Sequence, residues 1–218
     1  MGLLSHLVTI ASETRERTQV PLGSLISPDE TSKRLKIVDA ALRCVAARGL
    51  RATTVEEIAS EAGMARATLY RTFPGGREAV LEAVGETETA RFFSSLSVEL
   101  ASAQDLEALV VAYLSGVAAR LRGSVMLRAL SQERPELLHA RLTFSGLEET
   151  LALGSDFAWP FFAQWMSEEP AKRASEFVSR VAISYLVNEE PGARLDVEAD
   201  VRRLVAAHVL AGIEALAR

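Results

Sequence analysis

The chain has 218 residues, 49% hydrophobic and 24% charged, which is enough apolar material for a buried core and excludes wholesale disorder or a collagen-like repeat. Ala, Leu, Glu and Arg dominate and the aromatic share is 6%, a helix-forming balance that predicts an all-α fold. The net charge of −5 argues against a general nucleic-acid coat, yet residues 33–77 hold nine Lys/Arg against four Asp/Glu, so a basic module joins an acidic body. The single cysteine, Cys44, cannot form an intramolecular disulfide, and cytoplasm is the expected compartment. The longest uncharged run, 108–119, falls short of the ~20 apolar residues of a membrane span, and no basic segment precedes the first apolar residues as a signal peptide requires.

Residues 1–30 read as an N-terminal arm and linker. Leu3, Leu4, Leu7, Val8 and Ile10 recur at helical spacing before Pro21, Gly23 and Pro28. Two readings stand: a partly ordered arm, or a short helix docked on its own dimer or on DNA. From 32 to 48, Leu35, Val38, Ala41, Leu42 and Val45 share one helical face, and Gly49 supplies a stop. Thr54 followed by Glu57 is the reciprocal cap of a second helix, which Gly63 ends. A third short helix carries Arg66, Ala67, Thr68, Leu69, Tyr70 and Arg71 and stops before Pro74-Gly75-Gly76. Two short helices across a tight glycine turn, braced by a longer one, predict a helix-turn-helix domain over 31–78. Residues 79–218 read as a helical ligand-binding and dimerisation domain, with helical stretches near 77–97, 105–122, 124–140, 146–166, 171–188 and 197–217.

Residues 37–81 carry a specific resemblance. Ile37-Val38-Asp39-Ala40-Ala41, Arg48-Gly49, Thr53-Thr54-Val55, Ile58-Ala59, Ala62-Gly63-Met64, Thr68-Leu69-Tyr70 and Phe73-Pro74 are similar to the DNA-binding domain of the tetracycline-repressor (TetR) family. The resemblance implies a homodimeric, ligand-responsive transcription factor, usually a repressor, in which a small molecule bound by the C-terminal domain alters the spacing of two DNA-binding heads. Two features depart from the family pattern: Ala65 stands where a Ser or Thr cap is common, and Gly75-Gly76-Arg77 replaces an Asp-Lys or Ser-Lys step.

A major groove presents a distinct donor and acceptor pattern for each base pair, so a reader needs matching side chains at the exposed front of a helix. Arg66 suits O6 and N7 of guanine, with a solvated charge or phosphate contact as the alternative; Thr68 suits a thymine methyl or base edge, and Ala67 allows close approach. Tyr70, by resemblance, contacts a phosphate. Thr53 and Thr54 at the second helix and Arg77 after the third are expected to join the DNA contacts, and Arg51 and Arg71 to add positive potential. The DNA partner expected is a double-stranded palindromic operator.

In the body, Phe157, Trp159, Phe161, Phe162 and Trp165 cluster, with Phe144 nearby. One reading is a cavity for a small hydrophobic effector, to which Tyr113, Met126, His139, Phe144, Trp159, Phe162 and Trp165 would contribute; the other is plain core packing or dimer burial. The last two helices carry apolar stripes, Ala174, Phe177, Val178, Val181, Ala182 and Tyr185 on one, Val201, Leu204, Val205, His208, Val209, Gly212 and Leu216 on the other. A homodimer built from them as a four-helix bundle is expected. No nucleophile and base pair, phosphate-cradling loop or paired metal motif is present, so neither catalysis nor a cofactor is expected. The remaining alternatives are a helical protein-interaction module and a TetR-like activator with no small-molecule effector.

Overall fold

The computed structural model describes residues 28–187 and 194–216, so the expected arm lies almost wholly outside the described residues. Among those residues every regular element is helical, as the composition predicts. They fall into two compact units.

The first unit comprises the described residues up to Arg91 together with Ser124–Leu138. Helix α1 (Pro28–Arg48) turns Ile37, Val38, Ala41, Cys44 and Val45 inward, a helical recurrence that makes one apolar stripe. Helices α2 (Val55–Glu61) and α3 (Arg66–Thr72) add Val55, Ile58, Ala59 and Leu69, and the first turns of α4 (Gly76–Ala101) add Val80, Leu81 and Val84. Phe73 is buried beneath the Arg34 guanidinium, 4.3 Å above its ring centroid. Burial, then Glu61 and Glu57, push the Cys44 thiol above its usual pKa.

The unit is completed from far along the chain. Helix α6 (Val125–Glu133), capped by Ser124, buries Met126 and Ala129 in the same core. The boundary expected after residue 78 therefore does not separate the compact units: α4 runs on without a break, and 124–138 returns to the first unit. The stretch expected as one helix over 124–140 is two, because Pro135 lacks the N–H an interior position needs and instead opens α7 (Pro135–Leu142).

The second unit comprises Phe92–Gly123 and the described residues from His139 onward. Helices α5 (Leu106–Gly123), α8 (Phe144–Phe162), α9 (Glu168–Val187) and α10 (Glu198–Leu204) bury Leu109, Leu114, Phe162, Ala174, Val178 and Val201 in one core. After α10 comes one π turn, Val205–Val209, closed by the Leu210 amide donating to the Val205 carbonyl, before α11 (Leu210–Leu216). That extra residue per turn resets the stripe expected on a regular helix: Val205, Val209 and Ile213 are buried, while His208 and Gly212 are exposed. Among the described residues no single helix is long and apolar enough to cross a membrane.

Candidate nucleic-acid interface

The site begins with the loop that delivers the chain into α2. Most of its polar groups are held. The Gly49 amide donates to the Val45 carbonyl at 2.9 Å, and the Thr53 hydroxyl donates to the Gly49 carbonyl at 2.8 Å. Arg77 donates through Nε to the Thr53 carbonyl at 2.7 Å and through Nη2 to the Leu50 carbonyl at 2.6 Å. Glu133, at the end of α6, accepts the Leu50 and Arg51 amides at 2.6 and 2.7 Å, one on each carboxylate oxygen. Those two amides hold its carboxyl below the usual carboxylate range, with Arg51 and Arg77 adding to the effect.

Helix α2 then starts on a complete reciprocal cap: Thr54 Oγ1 accepts the Glu57 amide at 3.3 Å, and the Glu57 carboxylate accepts the Thr54 amide at 3.0 Å. It ends in a left-handed stop. The Met64 amide reaches back to Ala59 and the Gly63 amide to Ser60, a pairing that requires φ +64° at Gly63, where a side chain would be strained. The chain thereby reverses within four residues and starts α3 at Arg66. Ala65, at the cap position, makes no side-chain bond there, as its methyl dictates.

Helix α3 is anchored by Leu69, fully buried, and turns its other side outward. Arg66 is 59% exposed and ion-paired with Glu56. Ala67, Tyr70 and Arg71 are exposed, and Thr68 is half-buried. The Tyr70 ring lies against Gly76, where a Cβ would stand 3.1 Å from Tyr70 Cε1 and where φ is +62°. Gly76, which looks like a departure from the family pattern in sequence, is thus the surface on which the tyrosine rests.

Three residues expected among the DNA contacts have other partners. Thr53 is fully buried with its hydroxyl on Gly49, so it faces inward while its neighbour Thr54 faces out. The Arg77 guanidinium is bound to two loop carbonyls and to Glu78. Arg51 folds back through Nη2 onto the Glu133 carbonyl at 2.8 Å. Conversely, Glu133 and Gly76 belong to the architecture of this site, and local sequence carries no signal for the first, 82 residues from the amide of Arg51.

The residues expected to line an effector cavity have different surroundings within their units. Met126 lies in the first unit's core. Tyr113 is buried in the second unit with its hydroxyl 2.7 Å from Ser179 Oγ, and burial raises its pKa to about 12. Phe162 is fully buried core; Trp159 lies under Lys172, whose Nζ is 5.5 Å from the ring centroid; Trp165 and His139 are exposed. Phe144 opens α8, and its side chain lies outside the described residues. The neighbouring aromatics pack on one another, with Phe157 at 4.6 Å from Phe93 and 5.5 Å from Phe161 between centroids. An open groove of about 420 Å³ in this unit is lined instead by Glu99, Ala103, Val111, Ser115, Glu198 and Arg202.

A capped α2, a left-handed turn and a short α3 with an exposed front edge define a helix-turn-helix DNA-binding head. Residues 37–84 match the family described as bacterial regulatory proteins, tetR family, so this head is similar to the DNA-binding domain of that family. No curated protein matches the sequence. Solved structures share the fold. The TetR-family repressor AlkX from a Dietzia strain, implicated in biodegradation of n-alkanes, aligns over 87% of this chain and 98% of its own at TM-score 0.55 and 21% identity. A transcriptional regulator from Cytophaga hutchinsonii aligns over 84% and 97% at 0.54 and 21% identity. The fatty acid degradation regulator FadR from Bacillus halodurans aligns over 81% and 96% at 0.51 and 20% identity.

Proposed function

We propose that this regulator is a cytoplasmic repressor that binds a palindromic operator as a homodimer and leaves it when a small hydrophobic ligand enters the body. The observation that carries the DNA-reading part is the outward edge of α3, Arg66, Ala67 and Thr68, held on a head whose loop is bonded by Arg77 and Glu133, whose α2 is capped by Thr54 and Glu57, and whose turn closes at Gly63. In this reading Arg66 leaves Glu56 and takes a guanine, Thr68 meets a thymine methyl, and Ala67 lets the helix come close. Tyr70, Thr54 and Arg71 contact or attract phosphates and set the register. The inward or occupied side chains of Thr53, Arg77 and Arg51 take no part in it.

For the dimer, support comes from the exposed apolar residues of the last two helices: Phe177 on α9, and Ala206, Ala207, Ala211 and Gly212 from the π turn into α11. Small side chains there permit close helix approach. To read a palindromic operator, such a pairing has to hold two α3 edges about one turn of B-form DNA apart, near 34 Å. For the effector, support is the aromatic density of α8 and the apolar interior around it. One observation favours the alternative of a regulator without an effector: those aromatics already pack against one another and against α4.

Selection from a pool of randomised duplexes tests the reading. Wild-type protein should enrich a two-part inverted repeat, and Arg66→Ala should lose the preference at a symmetric pair of positions; equal affinity for all duplexes refutes operator recognition. Trp159 and Trp165 fluorescence, titrated with fatty acids, alkanes and aromatic compounds, tests the effector. A shift that also lowers DNA affinity supports induction, and silence across the series favours the effector-free regulator.

A further inference from the structure

We infer that the Glu133 carboxylate is the positioning residue of the DNA reader, the group through which the inserted segment 124–138 fixes the loop that aims α2 and α3. This rests on the DNA-binding reading above. The loop 49–53 is irregular, and an irregular loop holds its shape only where its amides and carbonyls find partners. Three of its carbonyls are taken by groups of the same stretch of chain, that of Gly49 by Thr53 and those of Leu50 and Thr53 by Arg77. Its two consecutive amides, Leu50 and Arg51, are taken by Glu133 alone among the described bonds, with one carboxylate oxygen to each, a forked arrangement stronger than two neutral bonds.

Two further observations show that the fit is built around the carboxylate. A Cβ at Gly49 would stand 2.3 Å from Glu133 Oε1 and 3.2 Å from Cδ, so the carboxylate lies against bare backbone, and any side chain at Gly49 would displace it. The Arg51 guanidinium returns to the Glu133 carbonyl, closing a ring between loop and helix end. The next residue after Thr53 is Thr54, whose backbone and hydroxyl make the cap of α2, so a shift at 50–51 passes through two residues to the start of the helix-turn-helix. Residues 92–123 and those from 139 on belong to the other unit. Glu133 therefore sits on a segment entered from that unit at both ends.

The test uses the full chain with Glu133→Gln, Glu133→Ala and, as control, Arg134→Ala, whose side chain bonds Glu136 and not the loop. The probes are the duplex that wild type enriches from a randomised pool and a scrambled duplex of the same composition. Glu133→Gln should speed hydrogen exchange at the Leu50 and Arg51 amides and weaken binding to the enriched duplex by about tenfold, as loss of one charge-assisted bond predicts. Affinity for the scrambled duplex should hardly change while the melting temperature falls by a few degrees, and Glu133→Ala should weaken specific binding further. Faster exchange with unchanged specific affinity overturns the inference. So does an equal loss on both duplexes, which marks a merely structural role, or the same loss in Arg134→Ala. If wild type enriches no sequence, the DNA-reading proposal itself fails and takes this inference with it.

Discussion

Replacing Thr53 by Val separates two roles that a threonine beside a helix-turn-helix can have. Thr53 is fully buried and its hydroxyl donates to the Gly49 carbonyl at 2.8 Å. Valine keeps the volume and the β-branch, so no cavity opens; what is lost is one neutral hydrogen bond and the partner of a carbonyl in a half-buried loop. A bond of that kind contributes about 1 kcal/mol net and an acceptor left without a partner raises the loss, so Thr53→Val should destabilise by about 1–3 kcal/mol. Urea unfolding followed by circular dichroism should show a lower midpoint with an unchanged slope. The same variant should bind DNA with an unchanged salt dependence, because a residue that contacts no phosphate releases no counterion. A log–log salt slope shallower by about 0.9, with stability intact, would show a lost phosphate contact and refute the inward placement of Thr53.

Two other substitutions have signs set by the geometry. Ala65 has the extended cap conformation, φ −69° and ψ 144°, is exposed, and makes no side-chain cap bond. Ala65→Ser should therefore add about 1 kcal/mol by accepting an amide from the first turn of α3, read as a higher melting temperature; no gain would mean that the start of α3 is already satisfied by other means. Tyr113, buried against Ser179, has its pKa raised from 10 to about 12. Because the folded state holds this proton more tightly, its contribution is complete below pH 10 and is lost as pH rises toward 12, on the order of 2–3 kcal/mol over that interval. Tyr113→Phe should show a correspondingly shallower fall in stability from pH 9.5 to 11.5, and parallel curves would place the ring in contact with water.

The helix-turn-helix is legible in sequence because its determinants are local. Thr54 and Glu57 are three residues apart, Gly63 follows the C-cap of α2, and Leu69 anchors a helix of seven residues; each acts within one turn of its partner. The adjacent pair Thr53-Thr54 marks the limit of such reading. Both suit a cap or a phosphate contact, and only the course of the loop, set by Arg77 and Glu133, turns one inward and the other out. Met126 is a similar case: an adaptable apolar residue suits a ligand cavity as well as a core, and its assignment to the first unit depends on where α6 returns. In the body, composition shows that aromatics are concentrated but not whether they face each other or a hollow. The last helix reads as one regular stripe, yet a single π turn at Val205–Val209 re-phases it and puts His208 outside.

The segment 124–138 decides whether the head is an autonomous domain, and the structure argues that it is not. Met126 and Ala129 are among the buried residues of the head's core, and Glu133 supplies the acceptors of the Leu50 and Arg51 amides. A fragment of residues 28–91 loses all three at once. Truncating a buried Met to Ala alone typically removes 2–5 kcal/mol, and deletion of the whole helix removes at least that much. Against a domain stability of about 5–15 kcal/mol, the loss leaves a small head of α1–α3 and the first turns of α4 with a low and broad melt. Supplying residues 124–138 through a flexible linker after residue 91 should restore a cooperative transition and slow exchange at the Leu69 amide. A fragment 28–91 that melts cooperatively, with Leu69 protected as in the full chain, would show that α6 rests on a finished core and does not complete one.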